Sequence, residues 1–423
     1  MIFTKYIYIG ISFLVLISNA LSAQLSIERI QVEGLKKTKE SYINRFIDSK
    51  LGSFADEALL AADLQRLKNL SSIADGNIVL DTVETDVHIR FQLKEALTLF
   101  PILNFGGVQG NFWYQVGFDD DNWRGLGRKL TVSYQNNDGR DNFNLYYKVP
   151  SFSRSRWGGS LSVSKWASIE PLFFENETVY YNYDNLSLGL SAIYQIKRNN
   201  TLEVGITSFI ENYIKDNRHE GLATPGPESL EQPKLLGKLI HYRNALKYHL
   251  FYLSGFDNTA SLQTVFNLQD RSWFHIFLND TRYFKRLPLR GNLAARLRVG
   301  VATNNNSPFA PFVLDSYVNI RGSGNRIERG TAALILNLEY RQTVFESAKF
   351  GAQIVAFSDA GTWRNPGGEL SDLLKRDNLQ HFVGGGIRVI YNRAYNAIFR
   401  LDYGVDIRQP ERRGVVIGIG QYF

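Results

Sequence analysis

Apolar and polar side chains alternate with a period of two almost throughout residues 96–423, and this alternation limits the chain more than any other feature. Leu130, Val132 and Tyr134 alternate with Lys129, Thr131, Ser133 and Gln135. Phe143, Leu145, Tyr147 and Val149 alternate with Asn142, Asn144, Tyr146 and Lys148. Leu334, Leu336, Leu338 and Tyr340 alternate with Asn337, Glu339 and Arg341. Phe399, Leu401, Tyr403 and Val405 alternate with Arg400, Asp402 and Gly404. A strand sends successive side chains to opposite faces, so each segment has one apolar and one polar face. About sixteen such segments follow one another, each roughly ten residues or longer, which is enough to cross an outer membrane at the usual tilt. A bundle of membrane helices is excluded. Past the first two dozen residues no apolar run reaches roughly 18 residues, and the mean hydropathy is -0.21.

The connections between segments favour a barrel over a pair of soluble sandwiches. With the first segment at about 97–106 taken as upward, the connections after even segments are short. They are Asp120–Gly127, Pro150–Arg156, Lys197–Asn200, Ser254–Asp257, Arg286–Pro288, Phe345–Lys349 and Asn392–Tyr395. Those after odd segments include the long ones, near 168–177, 214–236, 304–328 and 364–379. Short turns on the periplasmic side and long loops outside are the asymmetry of outer-membrane barrels. Tyr and Phe at segment ends suit interfacial girdles.

The N-terminus reads as an address. Lys5 precedes an apolar stretch from Tyr6 to Ile17, and the small residues Ser18, Ala20, Ser22 and Ala23 follow. This is the pattern of a cleaved secretory signal, with cleavage open between Ala20 and Ala23. The expected division is therefore a signal at 1–23, a periplasmic module at 24–95 and an outer-membrane barrel at 96–423. In the module, Ile27, Ile30 and Val32 suggest a strand. Thr38 and Ser41 are candidate helix starters, with Ile43, Phe46 and Ile47 at helical spacing after them. A second helix starts near Phe54-Ala55-Asp56, with Leu60, Leu64 and Leu67 as its apolar stripe. Strands at 78–83 and 87–93 complete a strand–helix–helix–strand–strand order, and both helices can cover one side of a small sheet. Such a sheet keeps an open edge that can accept a partner strand.

The residues of common catalytic chemistries are missing or scattered. Cysteine is absent, which removes disulfides, thiolate metal sites, cysteine nucleophiles and an N-terminal lipidated cysteine. The six histidines, His88, His219, His241, His249, His275 and His381, form no ligand pattern. Gly384-Gly385-Gly386 sits inside a strand pattern rather than a phosphate-binding loop. No nucleophile, base and orienter converge near one rim. No enzymatic activity, metal or cofactor is expected. A net charge of +7 spread over 423 residues does not point to nucleic acid.

Several short motifs carry a resemblance when taken in order. Asp121-Asn122-Trp123-Arg124-Gly125-Leu126-Gly127 and Tyr147-Lys148-Val149-Pro150-Ser151-Phe152 look like two successive periplasmic turns. Ile320-Arg321-Gly322 lies in a long loop. Asn337-Leu338-Glu339-Tyr340-Arg341 and Phe357-Ser358-Asp359-Ala360-Gly361 follow it and look like two strands that receive it, and the chain runs to Ile419-Gly420-Gln421-Tyr422-Phe423. In this spacing they resemble the BamA/TamA-type outer-membrane assembly superfamily (bacterial surface antigen domain), and the N-terminal module resembles a single POTRA domain. The resemblance implies an all-β transmembrane barrel of about 16 antiparallel strands preceded by one small α/β (βααββ) domain, in the outer membrane of a Gram-negative bacterium. It also implies that Ile320-Arg321-Gly322 matches the Val-Arg-Gly-aromatic loop tip, although Ser323 stands where the aromatic would be. Asn122, Gly125 and Gly127 would then form the turn motif, and Ile419, Gly420 and Phe423 the barrel-assembly signal of the last strand.

Alternation alone puts Glu339 on the polar face, and Asp359 on the same face of a less regular strand. A loop folding back into the lumen would bring Arg321 to both, because a guanidinium pairs bidentately with a carboxylate and still donates elsewhere. Gly322 permits a tight turn beside it. The resemblance implies a protein that inserts or translocates other proteins. Its partners would be unfolded outer-membrane or secreted clients, outer-membrane lipid and accessory lipoproteins. A passive pore, a secretion channel and a structural outer-membrane protein remain open readings.

Overall fold

The computed structural model describes residues 26–83, 86–108, 111–137, 139–152, 155–174, 177–216, 225–249, 251–305, 307–315, 318–324, 329–392 and 397–423. The expected signal segment lies outside the described residues. The N-terminal module contains β1 (Ser26–Glu33), α1 (Glu40–Ile43), α2 (Glu57–Lys68), β2 (Ile73–Val83) and β3 (Asp86–Glu95). The strand order is β1-β3-β2, with β1 parallel and β2 antiparallel to the central β3. The inward row Val87, Ile89, Phe91 and Leu93 of β3 packs with Ile27, Ile43, Leu60 and Leu67 in one core. Asp56 caps α2, accepting from the Ala58 and Leu59 N–H groups at 2.8 and 3.3 Å. The first helix is shorter than its apolar spacing suggests, and Thr38 does not cap it. Its side chain serves the junction described below.

Sixteen strands close a barrel. The first half is β4 (Leu99–Val108), β5 (Asn111–Trp123), β6 (Arg128–Asn137), β7 (Arg140–Val149), β8 (Trp157–Phe174), β9 (Glu177–Lys197), β10 (Asn200–Lys215) and β11 (Ser229–Tyr248). Then come β12 (Leu253–Asn267), β13 (Trp273–Leu287) and β14 (Gly291–Ala302). A ribbon of β15 (Phe312–Val313) and β16 (Arg329–Gly330) lies within the next connection. The barrel resumes with β17 (Ala332–Glu346), β18 (Phe350–Arg364), β19 (Gln380–Tyr391), β20 (Ile398–Asp406) and β21 (Arg413–Ile419). Leu336, Leu338 and Tyr340 face outward, while Asn337, Glu339 and Arg341 are buried inside. This is the alternation read from the sequence, with lipid on one face and the lumen on the other.

Several connections differ from their expected positions, three of them most clearly. The turn placed at Ser254–Asp257 lies at 249–252, and Ser254–Asp257 belongs to β12. Residues 168–174 and Glu177 are strand, because β8 and β9 extend outward as one long hairpin. Likewise β10 runs to Lys215 and β11 starts at Ser229, which shortens the loop expected at 214–236. Backbone pairing continues past the membrane-spanning length here, and composition does not mark where lipid stops.

The barrel is closed unevenly. Most neighbours pair along their whole length, as β20 and β21 do from Phe399↔Ile419 to Val405↔Arg413. Across the closing seam, β21 and β4 share one registered pair among the described residues, Ile417↔Phe105. Gly418 faces Asn104 at this seam, and a Cβ there would lie 2.9 Å from Asn104 Oδ1.

The module sits on the short-turn end. The Lys39 N–H donates to Gly125 O at 2.9 Å. Gly125 and Gly127 have φ of 74° and 62°. A Cβ on the first would strike the Lys37 carbonyl and on the second the Tyr42 ring. Asn122 Nδ2 donates to Thr38 Oγ1 at 2.9 Å, and its Oδ1 accepts from Gly127 N at 2.8 Å. Lys37 pairs with Asp120 at 2.8 Å. Further along the rim, Arg45 donates to Ser151, Arg198 pairs with Asp48, and Asn69 Nδ2 donates to Leu246 O at 3.3 Å. Asn122, Gly125 and Gly127 therefore form a seat for the module. On the module side, Glu95 gathers the 36–38 backbone, accepting from Lys36 N at 2.6 Å, Lys37 N at 2.8 Å and both Thr38 donors.

Burial alone would push the Glu95 carboxyl up, but the donors from Thr38, Lys37 and Lys36 together hold it below the usual carboxylate range. A depressed value stabilises the fold above the unfolded pKa of about 4.3, and this stabilisation is lost as pH falls through the folded value. Amide exchange at residues 36–38, corrected for intrinsic rates, should therefore accelerate on acidification from about pH 7 to about pH 3. In Glu95→Gln the same amides should exchange faster already at neutral pH, by about 1–2 kcal/mol of protection, with a flatter pH response.

Candidate functional site

The site is built from two adjacent strands and the loop after β14. In the β17–β18 pair, Asn337 faces Asp359 and Glu339 faces Phe357. Glu339 and Asp359 are thus diagonal neighbours on the lumen face. The described loop residues 318–324 place Arg321 between them. Arg321 Nε and Nη2 donate to the two Asp359 oxygens at 2.8 and 2.9 Å, and its backbone N–H adds a third bond at 3.0 Å. Nη1 donates to Glu339, and Asp402 lies 4.0 Å away. The guanidinium carbon is 3.7 Å from the Phe357 ring centre and 4.5 Å from that of Tyr422. Arg321 is fully buried, as are both carboxylates.

Glycines make room for the tip. Gly322 has φ 90°, and a Cβ on it would collide with the Gly404 backbone. Gly404 and Gly414 face each other in register and lie under the Arg321–Gly322 backbone. Before the tip, Ile320 occupies space left by Gly361, whose Cβ would meet Ile320 and Leu314 at 2.6 and 2.8 Å. These two pack with Ile335 and Phe382 in a small apolar cluster. Ser323, in place of an aromatic, closes the turn by donating to Ile320 O at 2.9 Å.

The sequence reading missed the support around this centre. Asn337 Nδ2 donates to Asn319 O at 2.7 Å, Arg296 Nη1 to Val318 O at 2.8 Å, and Arg298 Nη1 to Asn319 Oδ1 at 2.6 Å. Asp280 holds both arginines. Arg341 pairs with Glu339, and Arg388 pairs with Asp402 at 2.7 Å and lies 3.6 Å from Glu339. Alternation already assigned Arg341 and Asp402 to the lumen. Register across the strands, which no local pattern reports, brings them together. Nearer the long-loop end, Arg329 pairs with Glu170, and Phe309 packs on Tyr213 with ring centres 5.4 Å apart. Among the described residues no cluster of His, Cys, Asp or Glu suits a metal ion.

The C-terminal segment differs from expectation. The last strand does not run to Phe423. It ends at Ile419, paired with Phe399. Gly420, at φ 94°, redirects the chain, and its N–H donates to Ile398 O at 2.7 Å. Tyr422 then lies under Arg321, while Phe423 packs with Phe284, Ala294 and Leu246. Arg341 Nη2 donates to Phe423 O at 3.3 Å. Continuing the strand would face these two rings alternately to lipid and lumen. The turn at Gly420 buries both.

The Omp85 superfamily domain matches residues 122–423, which carry the pairing of Arg321 with Glu339 and Asp359 (the lock), the seam strand β21 and most of the barrel. The chain belongs to the Omp85 superfamily. It is similar to the outer membrane protein assembly factor BamA of Buchnera aphidicola, at 26% identity over 239 residues. That match covers 55% of this chain and 35% of the relative's length. Its fold is similar to BamA from Haemophilus ducreyi lacking POTRA domains 1-3, with a TM-score of 0.54 and 15% identity over 93% of this chain and 84% of that one. CdiB from Escherichia coli gives a TM-score of 0.62 at 11% identity, over 94% and 77% of the two chains. This Omp85 barrel is an outer-membrane β-barrel whose lumen holds Arg321 from its own loop.

Removing Arg321 would leave two buried carboxylates short of a partner. Arg321→Ala should cost about 3–5 kcal/mol, read as a lower temperature for loss of the heat-modifiable folded band. Arg321→Lys should fall between, since an ammonium keeps the charge without bidentate pairing. Lys215→Arg, at the outer end of β10 and far from the lock, should behave as wild type. Equal melting of Arg321→Ala and Lys215→Arg would show that the lock does not hold the barrel.

Proposed function

We propose that this protein is an outer-membrane assembly or translocation factor of a Gram-negative bacterium, working at its seam rather than through an open pore. The observation that carries the reading is the contrast inside one barrel. The lumen holds a fully buried, charge-paired loop tip, while the closing strands share one registered pair among the described residues. A passive pore needs the opposite arrangement, an open lumen and a sealed wall. The chemistry required is exchange of backbone hydrogen bonds, which a weakly paired strand edge can offer without a nucleophile, metal or cofactor. No enzymatic activity is assigned.

In this reading the N-terminal module is a POTRA domain in the periplasm, and residues 1–23 are the signal that directs it there. Its small sheet captures an extended client by adding a strand to an open edge. The edge strands β4 and β21 then template or release the client, and the Arg321 lock keeps the rest of the barrel rigid meanwhile. The clients are unfolded outer-membrane or secreted proteins. Lipid contacts the outward rows, and accessory lipoproteins would bind the exposed module.

Quantitative proteomics of outer-membrane and secreted fractions after depletion tests the reading. Broad loss of barrel proteins is expected for a general assembly factor. Loss of one or a few proteins, with other barrels unchanged, would mark a dedicated insertase or secretion channel. Unchanged fractions would overturn the proposal in favour of a structural or pore role.

A further inference from the structure

The mouth of the barrel at the short-turn end holds a cavity of about 270 Å³, between the module and the rim. One side is the start of β2, at Ile73, Ala74 and Asp75. The other is barrel rim, chiefly Tyr248, Phe251, Tyr252, Leu253, Ile390 and Ile398. Its inner end reaches Arg341 and Gln421, so it abuts the charge network of the lock. Drug-sized ligand sites occupy about 300–1,000 Å³, so this cavity suits one large side chain.

Its neighbourhood selects the chemistry of that side chain. Tyr252 is stacked on His249, with ring centres 4.3 Å apart, and Arg286 lies 4.2 Å over its ring. Burial is the first cause that holds the His249 imidazole below its ordinary value, and the nearby Arg286, Lys68 and Lys247 are the next; these cations set a positive field at the rim. The lining acid, Asp75, is already paired with Lys68 at 3.0 Å. An aromatic ring fits the walls by edge-to-face contact, and an adjacent carboxylate fits the field. The third feature is the backbone. In the sheet order β1-β3-β2, β2 is an edge strand, so a chain paired along it would alternate its side chains past the cavity.

We propose that this cavity is a specificity pocket that takes an aromatic side chain, flanked by an acidic residue, from an extended polypeptide paired along β2. The proposal rests on the client-capture reading above and adds the pocket and the residue type it selects. Backbone bonds to β2 give affinity for any extended chain, and the pocket ranks chains by sequence.

The test uses the full-length protein in native membranes. A photo-crosslinking side chain is placed at Ile398 in the pocket, at Leu80 further along β2, or at the exposed turn residue Leu289. Client adducts are expected at Ile398 and Leu80 and not at Leu289. A soluble acidic–aromatic peptide should compete with the Ile398 adduct. Changing its aromatic to Ala should weaken that competition about tenfold. Ala74→Trp, which fills the cavity, should remove the difference between the two peptides while heat-modifiability stays as in wild type. Adducts at Leu80 but none at Ile398 would overturn the pocket and leave client capture standing. No polypeptide adduct at either site would overturn both. Lipid adducts alone at Ile398, or equal competition by the two peptides, would overturn the pocket.

Discussion

One buried arginine organises the lumen. Arg321 has left water entirely, and a lone guanidinium in that position would be prohibitively expensive. It is tolerated because Asp359 takes two of its donors, Glu339 a third, and Phe357 and Tyr422 cover its faces. Everything nearby follows from making that geometry possible. Glycines at 322, 404 and 414 let backbones approach, Gly361 leaves a socket for Ile320, and Arg341 and Arg388 balance the remaining carboxylate charge.

The lock and the seam are connected through the last residues. β21 has little ladder support from β4, yet its continuation is buried against Arg321, Arg341 and Phe284. β20 holds this strand along its length on one side, and on the β4 side lumen side chains anchor its continuation more than backbone bonds do. In the function proposed above, this arrangement is what would let the edge separate while the barrel keeps its shape. The N-terminal module, in turn, is fixed to the rim by Asn122, Gly125 and Gly127, so its position relative to the mouth is set by directional contacts.

Most of the barrel and the centre of the lock are legible in the sequence. Alternation with a period of two gave the lumen face of Glu339, because a strand cannot place residue 339 outward while 338 and 340 face lipid. The resemblance supplied Arg321 and Asp359 as its partners. The extended β8–β9 hairpin, the turn at 249–252 and the inward bend at Gly420 were not legible. Each depends on what the backbone meets beyond the membrane or inside the lumen, and local composition carries no record of that. Thr38 reads as a helix cap from its neighbours in sequence. In the fold its hydroxyl is engaged by Glu95 and Asn122, from distant parts of the chain.

By itself the sequence determined that this chain forms a membrane barrel behind a small α/β module, because the hydrophobic period and the loop lengths are properties of consecutive residues. The tertiary structure alone decided which lumen charges meet, how weakly the barrel closes and what the final residues do. Those outcomes depend on strand register and on the path of one long loop, which are settled when segments far apart in sequence compete for the same buried space.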